Sequence, residues 1–296
     1  MRLVLVAILV FLTSASAADE SNHAVTLWKV KGASNSVFLL GSIHLLRPED
    51  YPLPTALDAA YDEAEVLIME IDMDDMDPLA AQIAFTKYGM LQDEQTLQGL
   101  MGNDLYREAL AAADAIDIPL EMLSKTDLWY AAMTIEIMML SRIGFDPSLG
   151  VEMYMMSKAQ NDGKPIEGFE TAEEQVLFLD GMSLEAQREM LMSTLIESAK
   201  IGEVMDELID AWHTGDTAAL EDGMLVELAQ HEELAKALVT DRNVRWLNQI
   251  EPLLDDKDDY LIVVGALHLI GAEGVPALLQ GNGHNVQQLS ESPSVR

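Results

Sequence analysis

VFLLGSIHLL, residues 37–46, and LIVVGALHLI, residues 261–270, carry one phrase near the two ends of a single chain: an apolar run, Gly-x-x-His-Leu, then one more apolar residue. Each run is short and unbroken by polar residues, as expected of a strand buried on both faces. The glycine directly after the run lets the backbone turn without a Cβ clash. A histidine three residues on, in the first turn, points back over the sheet edge, where open α/β sheets bind their ligands. The chain has only six histidines, and two stand at this matched position. The two phrases are therefore expected to pack into one sheet and to bring His44 and His268 to one site.

The flanking sequence fits that sheet. AVTLWKV (24–30) and SVFLL (36–40), separated by a turn-like KGASN, read as a hairpin. RPEDYPLP is a proline-punctuated loop, PTALDAAYDEAE (54–65) a helix with Pro54 suited to its first turn, and VLIMEI (66–71) a buried strand. This is a βαβ-like start. From Pro78 to about Pro252, apolar residues recur at three and four. That spacing predicts helices near 78–90, 104–115, 126–143, 149–161, 171–180, 184–199, 202–213, 217–238 and 240–250. KPIEGFET (164–171) interrupts them as a short strand running into a loop and a helix. DYLIVVG (259–265) is a strand, GALHLIGAEG a Gly-rich turn, VPALLQGNG a helix ended by glycine, and HNVQQL (284–289) a last half-polar strand. The fold class is α/β (α+β): a central sheet built from N- and C-terminal β/α units, with a helical insertion over about 78–255. Residues 18–296 read as a single domain.

Composition narrows the setting. Of 296 residues 49% are hydrophobic, enough for a sizeable core. Acidic residues outnumber basic ones 51 to 17, a net charge of −34. Such a surface repels phosphates and anionic lipid heads, so nucleic acid is not an expected partner. The absence of cysteine excludes disulfides, thiolate catalysis and a lipobox anchor. Met1-Arg2, the apolar LVLVAILVFL and Ala15-Ser16-Ala17 read as a signal peptide over 1–17, cut after Ala17, which predicts a periplasmic or secreted protein. No later run is long enough for a membrane helix, so no membrane insertion is expected after cleavage.

Glu70 ends the buried run VLIMEI, where a carboxylate is costly unless paired or bound to a cation. His44, Glu70 and His268 make a His₂Glu set, the ligand type of catalytic zinc sites with one position left for water. The expected cofactor is a divalent metal ion; zinc, manganese, cobalt and iron all accept these ligands. IDMDDMDP (71–78) is acidic but lacks the glycine and spacing of a calcium loop, and reads as solvated. The methionines between Met133 and Met156 read as adaptable packing or an apolar groove. His23, His213, His231 and His284 have no matching context.

GSIHLL, LIMEID, GKPIEGFET, DRN and VVGALHLIGAEGVPALLQGNGHNVQQL together resemble the TraB/GumN family, related to the Tiki proteins, over nearly the whole mature chain. The resemblance implies an α/β fold, and its Tiki branch implies metal-dependent peptidase activity. The wider superfamily includes erythromycin-esterase-like enzymes and a haem-binding lipoprotein. His44, Glu70 and His268 match the family's proposed metal or catalytic positions. Glu170, in GFET, matches a Leu-Glu-Thr-like position with Phe169 in place of leucine, and Arg242 and Asn243 match an Arg-Asn pair. Read as residues, Glu170 follows a short strand as Glu70 does, so two carboxylates and two histidines converge. Arg242 either pairs with a carboxylate or binds a substrate carbonyl or carboxylate through its fork of donors. An ordinary helix-end salt bridge is the plainer alternative. Ser42 and Asn243 are candidates for supporting hydrogen bonds.

The expected function is a secreted metal-dependent hydrolase, first of all a peptidase, in which a metal-bound water attacks a peptide or protein substrate. Glu170 is expected as a fourth ligand or general base, and Arg242 as the stabiliser of developing negative charge. The alternatives are a non-catalytic haem- or metal-binding protein and a partner-regulating extracytoplasmic protein.

Overall fold

In the computed structural model, which describes residues 24–72 and 78–291, the two Gly-x-x-His strands lie side by side. The leader expected at 1–17, His23 and most of the acidic run 71–78 lie outside the described residues. β1 (Ala24–Lys31) and β2 (Ser36–Ser42) form the expected antiparallel hairpin, followed by α1 (Thr55–Glu63) and β3 (Val66–Ile71). The chain then turns helical: α2 (Pro78–Gly89), α3 (Leu97–Met101), α4 (Asn103–Ala115), α5 (Leu128–Arg142) and α6 (Val151–Asp162). After β4 (Ile166–Glu170) come α7 (Ala172–Asp180), α8 (Leu184–Glu197), α9 (Ile201–Thr214), α10 (Thr217–Leu220), α11 (Val226–Leu228), α12 (Glu232–Ala235) and α13 (Asp241–Leu253). β5 (Tyr260–Gly265), α14 (Val275–Gly281) and β6 (Asn285–Ser290) close the described chain.

The six strands form one mixed sheet in the order β4-β3-β5-β2-β1-β6. β4, β3, β5 and β2 run parallel; β1 is antiparallel to both β2 and β6. All four parallel strands thus end at one edge, and that edge carries the candidate residues. β5 is buried at every position, as its unbroken apolar run requires of a central parallel strand. β5, late in the chain, therefore sits between β2 and β3, so the βαβ start is a crossover that skips one position.

Register explains the first of the two glycines. Gly41 pairs with Val264, and Ser42 with Gly265. A Cβ on Gly41 would stand 2.6 Å from Thr26 Cγ2 and 3.1 Å from Ala266 Cα. Only a bare backbone lets the second phrase turn off the sheet this close to the first.

The principal core packs Leu27, Phe38, Leu40, Ile262 and Val263 against Trp212, Trp246 and Leu279. The insertion adds two clusters of its own. Leu97, Tyr106, Leu128, Ile135 and Leu191 join α3, α4, α5 and α8; Trp129, Val176, Leu179 and Met182 join α5 to α7. Methionines of the 133–156 stretch serve this packing: Met155 is fully buried, and Met133, Met139 and Met156 lie partly buried against the clusters. The continuous helix expected over 217–238 is instead broken, with π-helical turns at Glu221–Leu225 and Lys236–Thr240. Gly223 lies within the first, where a Cβ would come 2.9 Å from Leu208 Cδ2. Among the described residues no helix is long and apolar enough to cross a membrane.

Candidate functional site

Glu70 is the penultimate residue of β3, Glu170 the last of β4, and His268 closes a short turn of 3₁₀ helix that leaves β5 directly. His44 lies two residues beyond β2. The parallel sheet therefore delivers all four side chains to one edge. Gly265 is the common neighbour of three of them: a Cβ built on it would stand 3.4 Å from Glu70 Oε1, 3.6 Å from His44 Nε2 and 3.7 Å from His268 Cδ2. The spacing of the repeated phrase thus translates into shared space.

Arg242, on the first turn of α13, is buried beneath this group. Nη2 donates to Glu70 Oε2 at 2.5 Å and lies 2.9 Å from Glu170 Oε2, while Nε donates to Glu170 Oε2 at 3.0 Å. Nη1 donates to Leu238 O and to His268 Nε2, both at 3.1 Å. All three of its nitrogens are engaged, and its plane stacks on Trp246 at 4.7 Å. Glu170 is held from the other side by Arg245 Nη2 at 3.0 Å. Thr171 begins α7 with a capping box to Glu174, and that helix returns Gln175 Nε2 to Glu70 Oε2 at 3.0 Å.

The two histidines are held in different ways. His268 is buried; its Nδ1 faces Asn243 Oδ1 at 2.7 Å, while Asn243 Nδ2 donates to the carbonyls of His268 and Glu273. An amide oxygen can only accept, so Nδ1 carries the proton and Nε2 presents its lone pair. Burial, with Arg242 and His44 adding to it against Glu70, pushes this imidazole down to about 3. His44 is open, with 62% of its side chain exposed, and its Nδ1 lies 2.6 Å from Glu152 Oε1. The Glu152 carboxylate lifts His44 to about 9. Burial would raise Glu70, but the His268 ring, Arg242, His44 and the amide of Gly265, which donates to Oε1 at 2.8 Å, hold it at about 2.

The site thus gathers His44, Glu70, Glu170, Arg242, Asn243 and His268, and reaches Ser42 through Glu152, to which Ser42 Oγ donates. Sequence reading missed Glu152, Gln175, Arg245 and Trp246. Glu152 lies in the first turn of α6, where an acidic residue reads as an ordinary partner of the helix dipole. Arg245, one turn after Arg242, carried the clearest overlooked signal.

Whether a divalent ion suits these residues turns on lone pairs. Among the described residues no three His, Asp or Glu side chains form a ready metal cage. Glu70 Oε1 and His268 Nε2 stand 3.8 Å apart. Two ligands each about 2.1 Å from one ion are at most about 4.2 Å apart, so this gap is within span. His44 Nε2 and Glu70 Oε1 border the same space above Gly265. Arg242 Nη1 competes for the His268 lone pair and keeps Leu238 O as its other acceptor. Glu70 Oε1 and His268 Nε2 are thus close enough to share one ion, but only if Arg242 Nη1 gives up its bond to His268.

A model of the TraB/PrgY/gumN family matches residues 26–288. The chain is 23% identical over 247 residues to the uncharacterized protein YbaP of Escherichia coli (strain K12), covering 82% of this chain and 87% of that protein. The uncharacterized protein YbaP of Shigella flexneri matches with the same identity and coverage. No solved structure matches the chain.

Proposed function

The chain belongs to the TraB/PrgY/gumN family, and from that premise we propose that it is an extracytoplasmic metal-dependent hydrolase acting on peptide bonds. One observation carries the site: His44, Glu70 and His268, from three different strand ends, border the single space above Gly265. The peptidase reading rests on the likeness to the Tiki branch, and the extracytoplasmic one on the leader-like first residues.

His44, Glu70 and His268 would hold the ion, which when bound supplies Lewis acidity to polarise a carbonyl. Glu70 contributes the negative charge, kept ionised by its cationic surroundings. His268 contributes a neutral nitrogen in a fixed tautomer, set by Asn243. His44, at the open side, would complete the set through Nε2 while Glu152 holds its Nδ1. Both oxygens of Glu170 face guanidinium groups, so in this reading Glu170 anchors Arg242 rather than meeting the substrate. Arg242 acts through its field, since its N–H groups are engaged.

The internal guanidinium supports a second reading. A fixed cation already neutralises Glu70 and Glu170, and His44 paired with Glu152 can serve as acid and base without a metal. Elemental mass spectrometry of the purified protein, beside His44→Ala and His268→Ala, separates the two. About one divalent ion per chain, lost in both variants and accompanied by chelator-sensitive peptide cleavage, is the expected result. No metal after reconstitution, with cleavage persisting in chelator, would transfer the assignment to the metal-free dyad.

A further inference from the structure

We infer that Glu152 is the positioning residue of His44, an assignment that rests on the preceding reading of His44 as a working group of the site. A carboxylate in the first turn of a helix is ordinarily exposed, where the helix dipole stabilises it at little cost. Glu152 departs from that pattern: only 12% of its side chain is accessible. Burying a carboxylate is costly unless its bonds offset the loss of water. The two side chains that bond it converge on Oε1: His44 through Nδ1 and Ser42 through its hydroxyl. Oε2 is buried and makes no hydrogen bond among the described residues. The carboxylate thus ties no other element of the fold; its bonds serve the ring and the hydroxyl beside it.

The backbone delivers Glu152 to this place with little slack. Val151 N donates to Ile43 O at 3.0 Å, which docks the start of α6 on the first Gly-x-x-His turn. A Cβ on Gly150 would lie 2.2 Å from His44 O, so the two segments meet backbone to backbone. Ser42, buried as the last residue of β2, fixes the carboxylate from the sheet side. With Nδ1 held by Glu152, the opposite nitrogen is turned toward Gly265. His268 has the same arrangement with Asn243 as its partner. Glu152 therefore makes the helical insertion part of the site: it aims the site's exposed histidine.

Crystal structures and Co(II) titrations of the wild type, Glu152→Ala, Glu152→Leu and Glu152→Gln test this, with folding checked by circular dichroism. In Glu152→Ala and Glu152→Leu, the His44 ring is expected to leave its direction toward Gly265 and the Kd for Co(II) to weaken about 10–100-fold. Glu152→Gln keeps an acceptor for Nδ1 and should recover ring position and most of the affinity. A ring that stays in place in Glu152→Leu, with wild-type Co(II) affinity, overturns the assignment. So does a Glu152→Gln variant that behaves like Glu152→Leu. If Glu152→Ala fails to fold, Glu152→Leu, matched to the buried volume, carries the comparison. If the wild type itself takes up no Co(II), the metal reading falls separately, and the ring position in the crystals still decides the role of Glu152.

Discussion

At the scale of single residues, the site is a cation set among acids, with a small space kept open beside it. Gly265 keeps that space. Its φ of −51° and ψ of 136° suit alanine, and an added Cβ would make ordinary contacts of 3.4–3.7 Å with Glu70, His44 and His268. Gly265→Ala should therefore unfold within about 1 kcal/mol of the wild type in urea. Its Co(II) affinity should fall, because the added methyl occupies the space that the three side chains border. Retained affinity would move the site away from Gly265. Arg242 is the opposite case. Arg242→Met leaves the buried Glu70 without its guanidinium and Glu170 with Arg245 alone, a loss of about 3–5 kcal/mol readable as a lower urea midpoint. Arg242→Lys should recover only part of this, because one ammonium cannot replace a planar fork of donors.

At the scale of elements, type was far more legible than neighbourhood. Seven of the expected helices, from 78–90 to 202–213, match α2, α4, α5, α6, α7, α8 and α9 closely, because apolar spacing reports which face is buried. The strands at 66–71 and 259–265 were readable for the same reason. Nothing local says that β5 separates β2 from β3, since strand order is decided by contacts between residues far apart in sequence. The broken helix over 217–238 also escaped, because a π-helical turn keeps the helical spacing of apolar residues while shifting its phase. Within the site, His44, Glu70 and His268 were legible because each follows an apolar run, and Glu170 because it follows a short strand in a phrase that resembles the family's. Glu152 was not, because its meaning comes from where α6 docks. That docking predicts a cost for Gly150→Ala. The backbone at φ −60° accepts alanine, but its methyl would press on His44 O, so a loss of about 1–3 kcal/mol in urea is expected. Weaker Co(II) binding should accompany it. An unchanged midpoint would mean that α6 slides freely over the first Gly-x-x-His turn.

At the scale of the whole molecule, the site sets how stability depends on pH. His268 titrates at about 3 when folded, against an ordinary 6.5. Between those values the unfolded chain binds a proton that the folded chain refuses, so stability is lost as pH falls below 6.5. Glu70, held at about 2 against 4.5, adds its own loss below pH 4.5. His44 has the opposite sign: raised to about 9, its contribution is complete below pH 6.5 and is lost as pH rises through 9. The urea midpoint should therefore peak at about pH 6.5 and fall on both sides. His268→Gln should flatten the limb from pH 6.5 to 4.5, where the wild-type slope from this residue amounts to about 2–3 kcal/mol. An unchanged limb would mean that His268 is protonated in the folded protein. The strand order has a consequence of another kind, in the order of synthesis. A ribosome releases β2 and β3 early and the strand that belongs between them almost last. Until Tyr260 and its followers emerge, the nascent sheet has a missing centre and two apolar edges competent to pair wrongly. Folding must wait for the end of translation, and a message truncated before the codon for Tyr260 yields no native protein at all.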